Sequence, residues 1–220
     1  MMGDRDAKTA LFDQFARVGK ALGSGKRLEL VDLLAQGERT VESLARAAGL
    51  GMTTASAHLQ TLKQANLVAT RREGTKIYYR LAGTDVAALY ALVRTVASAH
   101  LPDVEAASAA YLGPDDAEQV SRDDLLHRAR SGEVVVLDVR PREEYEAGHI
   151  PGAVSIPVEE LADKLDDIPA DQEIVAYCRG SYCVLAHDAV RLLNARGRSA
   201  RRLADGMLEW RLAELPVESA

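Results

Sequence analysis

A chain of 220 residues that is 47% hydrophobic and 27% charged has the composition of an ordinary globular protein, and its length suggests two domains rather than one. No apolar run approaches the ~20 residues of a membrane span. The charged start, Met1-Met-Gly-Asp-Arg-Asp-Ala-Lys8, has no signal-peptide core, and two cysteines are too few for a disulfide scaffold, so a cytoplasmic protein with no membrane association is expected. The net charge of −6 hides an asymmetry: residues 1–100 carry 14 Lys/Arg against 9 Asp/Glu, and residues 101–220 carry 13 against 24. A polyanionic partner, if there is one, belongs to the first half.

In chain order, Leu11, Phe12, Phe15, Val18 and Leu22 recur at helical spacing. Leu28 to Leu34 give a second helix ending near Gln36-Gly37. Thr40 opens a short helix, Val41 to Ala48, ended by Gly49, and Thr53 or Thr54 is expected to cap the next, which runs to about Ala65. Leu67–Glu73 and Thr75–Leu81 read as a hairpin around a Glu-Gly turn. A last helix spans Asp85 to His100. Two short helices, a glycine turn and a hairpin make a winged helix-turn-helix, whose second short helix enters the major groove. Its exposed candidates for base contact are Thr53, Thr54, Ser56, His58 and Gln60. Arg71, Arg72 and Lys76 on the hairpin suit phosphates. Singly, each also fits a solvated surface; the order and spacing favour DNA.

The run Ala99 to Pro114 is rich in Ala and holds Pro102 and Gly113-Pro114, which marks a boundary, with helix possible from Ala106 to Leu112. Ser121 then opens a helix in capping-box fashion. Val134–Val139 is an apolar, β-branched strand, Arg142–Tyr145 a helical turn, and His149–Ile156 contains a short strand. Val158–Leu165 is expected as a helix and Glu173–Tyr177 as a strand. Helix Val184–Ala195, strand Ala200–Leu203 and a last helix from Gly206 complete the alternation, which implies a parallel α/β sheet. Ligands of such sheets sit beyond the carboxyl ends of strands. There lies Cys178, in the loop Cys178-Arg179-Gly180-Ser181-Tyr182-Cys183. A cysteine between a strand and the start of a helix faces unpaired N–H groups that favour its thiolate.

The first half resembles the arsenic-repressor (ArsR/SmtB) family of winged-helix regulators, through Arg27–Leu34, Val41–Leu50, Ser56–Leu62 and Leu67–Gly74. The resemblance implies a homodimer held by the first and last helices, a palindromic double-stranded operator, and repression relieved by an inducer. It departs from the family where metals bind. Val41-Glu-Ser-Leu-Ala-Arg46 has no cysteine, and the last helix offers only Asp85 and His100. No metal site and no cofactor are expected.

The second half resembles rhodanese sulfurtransferases through Leu137–Pro157, the Cys178 loop and Leu203–Trp210. The resemblance implies that Cys178 accepts a sulfane sulfur as a persulfide, supplied by a small-molecule donor or a sulfur-carrier protein. Asp138 and Arg140 sit at the family's Asp-x-Arg position, where they brace the site, and His149 is structural. The phosphatase and arsenate-reductase relatives use a loop one residue longer that closes with Arg; the six-residue loop ending in Cys183 favours sulfur chemistry. Cys183 is either a resolving thiol or a small packed residue. A ligand set of Cys178, Cys183 and His187 lacks an evident fourth member. Arg179 either draws in anionic donors or is solvated.

The reading is thus an α+β winged helix-turn-helix domain, residues 8–103, a linker, 104–116, and an α/β rhodanese-like domain, 117–217. The expected function is a DNA-binding regulator, acting as a repressor, that senses reactive sulfur through Cys178. The alternatives are a sulfurtransferase enzyme beside an independent DNA-binding domain, and a module that docks a sulfur carrier.

Overall fold

The computed structural model describes residues 4–114 and 117–219. The first three residues of the charged start and residues 115–116 of the expected linker lie outside these. The chain divides into two compact units between Tyr90 and Ala91.

In the first unit, α1 (Arg5–Leu22) begins where the Asp4 carboxylate accepts from the Asp6 amide at 2.9 Å. Then come α2 (Gly25–Gln36), β1 (Arg39–Thr40), α3 (Val41–Ala47), α4 (Met52–Gln64), β2 (Val68–Glu73), β3 (Lys76–Leu81) and α5 (Thr84–His100). The Thr40 hydroxyl caps α3 by accepting from the Ser43 amide at 3.2 Å, as read from the sequence. The α4 cap differs from expectation: Gly51 holds that position, and Thr53 and Thr54 lie inside the first turn. Gly49 at φ +61° makes the turn between α3 and α4, and Asn66 at φ +57° turns α4 into β2. The antiparallel sheet has the order β1-β3-β2. Leu30, Leu33, Leu44, Leu59, Leu62 and Tyr79 fill the core, which fixes α3 and α4 against each other.

The second unit holds the end of α5 from Ala91 onward, α6 (Asp103–Leu112), β4 (Gln119–Val120), α7 (Arg122–Arg130), β5 (Val134–Asp138), α8 (Arg142–Glu146), β6 (Val154–Ser155), β7 (Glu173–Tyr177), α9 (Val184–Ala195), β8 (Ala200–Leu203) and α10 (Met207–Leu212). Its five-stranded sheet has the order β4-β8-β7-β5-β6 with every pair parallel. The period of two sorts the central strands between two apolar layers. Val135, Leu137, Ile174 and Ala176 pack with Ala189, Val190 and Leu193 of α9. Val134, Val136, Val175 and Tyr177 pack with Met207 and Trp210 of α10.

The helix expected at Val158–Leu165 does not form. Successive turns occupy 158–163, and a 3₁₀ turn covers Leu165–Asp167. The bonds there run three residues back, as in Glu160 N–H to Pro157 O at 2.8 Å and Asp163 N–H to Glu160 O at 3.2 Å. The segment follows the tighter spacing while Leu161 stays fully buried. Asp103–Leu112 is helical, which takes in the run Ala106–Leu112 where the sequence left helix open. No helix among the described residues is long and apolar enough to cross a membrane.

Candidate functional site

In the second unit, β7 delivers Cys178 to the carboxyl edge of the sheet, where it is 1% exposed. Cys183 stands at the N-cap of α9, and the two cysteines are joined as a disulfide with Cα atoms 6.2 Å apart. The loop is folded on itself by the Cys183 N–H donating to Gly180 O at 3.0 Å. Its first half is fastened to α10: Met207 N–H donates to Cys178 O and Leu208 N–H to Arg179 O, both at 2.9 Å. This fit requires glycine at 206, because a Cβ there would lie 2.3 Å from the Gly180 nitrogen.

Arg179 pairs with a carboxylate of α8. Its Nη2 and Nε bond the Glu144 carboxylate at 2.6 and 2.9 Å, a bidentate pair with a side chain that is itself 1% exposed. The pair ties the cysteine loop to α8.

Asp138 and Arg140 pair with each other. Both are fully buried, with Arg140 Nη2 2.6 Å and Nε 3.0 Å from the carboxylate. Arg140 also donates to Gly148 O at 2.9 Å. The Tyr177 hydroxyl donates to Asp138 Oδ2 at 2.6 Å and accepts from the Ile150 N–H at 3.1 Å. Burial, with the Asp138 charge beside it, pushes the Tyr177 phenol well above its ordinary range, so it stays a donor. His149 has its Nδ1 2.9 Å from Tyr145 O and its ring stacked on Tyr145 at 3.7 Å. Its backbone pairs with Glu218, which suits a structural role. His187 is buried on α9.

In the first unit, α3 and α4 form the helix-turn-helix, and β2–β3 the wing. Thr53 and Thr54 are exposed at the start of α4, and Ser56 and His58 are half-buried. Gln60 is engaged instead with the wing, its Nε2 donating to the Tyr79 hydroxyl at 2.9 Å. The hairpin register pairs Glu73 with Lys76 across a Gly74-Thr75 turn. Arg71 lies 4.3 Å above the Tyr78 ring and bonds both Glu73 and Glu38, which together raise its pKa. Arg72 donates to Gly74 O at 3.0 Å, and Lys76 is exposed at the tip.

Glu144, Tyr177 and Glu209 escaped the sequence reading. Glu144 reads as an ordinary acidic residue at a helix start, and its partner lies 35 residues away. Glu209 takes part in holding the loop: its Oε2 accepts from the Gly206 N–H at 3.1 Å and lies 3.2 Å from where a Gly180 Cβ would be.

Two family models match the chain: "Bacterial regulatory protein, arsR family" over residues 24–70 and "Rhodanese-like domain" over residues 121–213. The HTH-type transcriptional regulator Rv0324 of Mycobacterium tuberculosis is 60% identical over 219 residues, which is 99% of this chain and 96% of the relative. A human thiosulfate:glutathione sulfurtransferase is 36% identical over 109 residues, 43% of this chain and 93% of its own. Among solved structures, the homodimeric winged helix-turn-helix DNA-binding domain (fragment 1–100) of Mycobacterium bovis Mb0332 is 62% identical, covers 46% of this chain and 94% of that fragment, and superposes with a TM-score of 0.43. With a full-length relative at this identity and both halves matched, the chain belongs to the ArsR family of helix-turn-helix transcriptional regulators and carries a C-terminal rhodanese domain.

Proposed function

We propose that this regulator is a homodimeric repressor that responds to reactive sulfur. Residues 8–103 bind operator DNA and dimerise, and residues 117–217 accept sulfane sulfur on Cys178. The observation that carries the reading is the disulfide between Cys178 and Cys183: the two sulfurs of the loop are within bonding reach, as a persulfide and its resolving thiol must be. Dimerisation is supported by the apolar side chains that one chain leaves uncovered, Leu11, Phe12 and Phe15 on α1 and Leu92 and Val96 on α5, each at least half exposed. The DNA-reading candidates remain Thr53, Thr54, Ser56 and His58, with Arg72 and Lys76 on phosphates. Gln60 and Arg71 act mainly inside the wing, on the partners described above.

The test is fluorescence anisotropy with duplex DNA from the chain's own promoter at fixed salt. It compares reduced protein, polysulfide-treated protein, and treated Cys178→Ser. A regulator of this kind shifts its affinity by about 5–150-fold, the usual range of allosteric coupling, and the shift disappears in Cys178→Ser. An unchanged affinity in protein that carries the added sulfur by intact mass refutes the reading.

A second reading is favoured by the human relative of the rhodanese half, whose name gives it thiosulfate:glutathione sulfurtransferase activity. In this reading the domain turns over a sulfur donor while DNA binding proceeds independently. Steady transfer to a thiol acceptor, with DNA affinity blind to sulfur, supports it.

A further inference from the structure

Within the second unit, the cysteine loop is held from a side that the rhodanese fold does not supply, the end of α5. Tyr182, the residue before Cys183, has its hydroxyl 2.6 Å from Ser98 Oγ. The Arg94 guanidinium lies 5.0 Å from the centre of the Tyr182 ring. Arg94 Nη1 also pairs with Glu209 Oε1 at 3.0 Å, with both side chains about four-fifths buried. Glu209 in turn receives the Gly206 N–H, and Gly206 packs against Gly180. A cavity of about 510 Å³ lies alongside, lined by Arg94, Thr95, Ser98, Ser181, Tyr182 and Glu209. Tyr182 is 40% exposed, so its ring has space to swing if the bond to Ser98 is released.

We propose that Arg94 and Ser98 are positioning residues for Tyr182 and through it for Cys183, so that α5 sets how fast a persulfide on Cys178 is resolved. The inference rests on the persulfide reading and deepens it. In the loading step the Cys178 thiolate attacks one sulfur of hydrogen disulfide, HSSH, the simplest polysulfide. A bond forms between Cys178 Sγ and that sulfur, the S–S bond of the donor breaks, and HS⁻ leaves, which gives Cys178–S–SH. In the resolving step the Cys183 thiolate attacks Cys178 Sγ. The protein disulfide forms, the bond to the outer sulfur breaks, and a second HS⁻ leaves. The two thiols lose two electrons and the sulfane sulfur gains them. A low-molecular-weight thiol, in two exchanges, restores the reduced pair. Only the second step needs Cys183 held against Cys178, and only that step depends on Ser98 and Arg94.

The experiment treats the reduced full-length chain with inorganic polysulfide and follows intact mass in time. The persulfide appears one sulfur heavier and the disulfide two hydrogens lighter than the starting protein. In Ser98→Ala, Arg94→Ala and Tyr182→Phe the ratio of resolving to loading rate falls about fivefold or more, the worth of one hydrogen bond. Ser98→Ala combined with Tyr182→Phe is no worse than either alone, since both remove the same bond. Arg94→Lys, which keeps the charge opposite Glu209, recovers part of the ratio. Unfolding would expose the buried Cys178 and speed loading. The effect therefore counts only in variants whose loading rate and Trp210 fluorescence match the wild type, and a lowered ratio that appears only with faster loading overturns the proposal. An unchanged ratio in all three single variants overturns the proposal while the persulfide reading stands. A wild-type chain that loads sulfur and never resolves it overturns the proposal as well. A wild-type chain that never loads sulfur on Cys178 overturns both.

Discussion

Tyr177→Phe removes one oxygen from the most buried part of the rhodanese domain and keeps the ring. Tyr177 is fully buried, and its ring packs in the same apolar layer as Trp210, so the substitution opens almost no cavity. It strips the Asp138 carboxylate of a 2.6 Å donor and the Ile150 N–H of its acceptor. A hydrogen bond to a charged group is worth about 1.5–3 kcal/mol, and a buried donor left without an acceptor costs about 1–3 kcal/mol. A loss of about 3 kcal/mol follows, a large share of the ~5–15 kcal/mol of a typical domain. Trp210 is the chain's single tryptophan and is fully buried in this unit, so its fluorescence reports urea unfolding of the rhodanese half alone. With a denaturant slope of about 2 kcal/mol per molar, the midpoint falls by about 1.5 M. A fall under about 0.3 M, or about 0.6 kcal/mol at that slope, refutes the claim that this hydroxyl braces the Asp138–Arg140 pair.

The same phenol gives stability a pH dependence. Because its folded pKa is raised, the folded state keeps the proton after the unfolded chain loses it near pH 10, so its contribution is full below that pH and declines above it by about 1.4 kcal/mol per pH unit. Tyr79 and Tyr145 are also raised by burial, so the measurable quantity is the wild-type midpoint minus that of Tyr177→Phe, which shrinks above pH 10 and is flat at neutral pH. On the wing, Arg72→Ala and Lys76→Ala each lower DNA affinity and flatten the salt dependence by about one phosphate contact, ~0.9 in log–log slope. Arg71→Ala changes the slope less, because Glu38 and Glu73 already match its charge; equal slopes for all three in anisotropy titrations contradict this assignment.

The sequence was most informative where a single local pattern decides the structure. The run Val134-Val-Val-Leu137 is β-branched and apolar, and it forms a strand buried on both faces. Thr40 before Val41 and Ser121 before Arg122 cap their helices as their types suggest. The cysteine loop was legible for the same reason, an apolar strand that ends on a cysteine just before a helix. Strands β1 and β4 were not legible, since two residues carry no period. The run 158–165 has a helical composition, yet its bonds close at three residues while Leu161 keeps its place in the core. The least legible features were the pairings over long separations. The hydrogen bond from Gln60 to Tyr79 spans 19 residues and left no trace in the local pattern. Arg94 and Ser98 looked like ordinary positions of a helix, and their loop partner Tyr182 lies 84 residues beyond Ser98.

The charge pairing around the loop bears on which sulfur donor the proposed sensor prefers. Thiosulfate is a dianion and benefits from a cation at its sulfonate end, as a phosphate benefits from a bidentate arginine. Arg179 is the loop's own arginine, and it is committed to Glu144 by contacts of 2.6 and 2.9 Å. To turn to a ligand it would leave behind a carboxylate that is 1% exposed, and breaking a buried pair in this way costs about 3–5 kcal/mol. At 1.4 kcal/mol per tenfold, even the low end removes about a hundredfold in affinity. Hydrogen disulfide and its monoanion have no sulfonate end and ask for no such cation. Polysulfide should therefore load Cys178 faster than thiosulfate at equal concentration. Glu144→Gln, by neutralising the partner of Arg179, should narrow the gap from the thiosulfate side. If thiosulfate loads as fast as polysulfide in the wild-type chain, the Arg179–Glu144 pair does not gate the donor, and the loop's selectivity has another source.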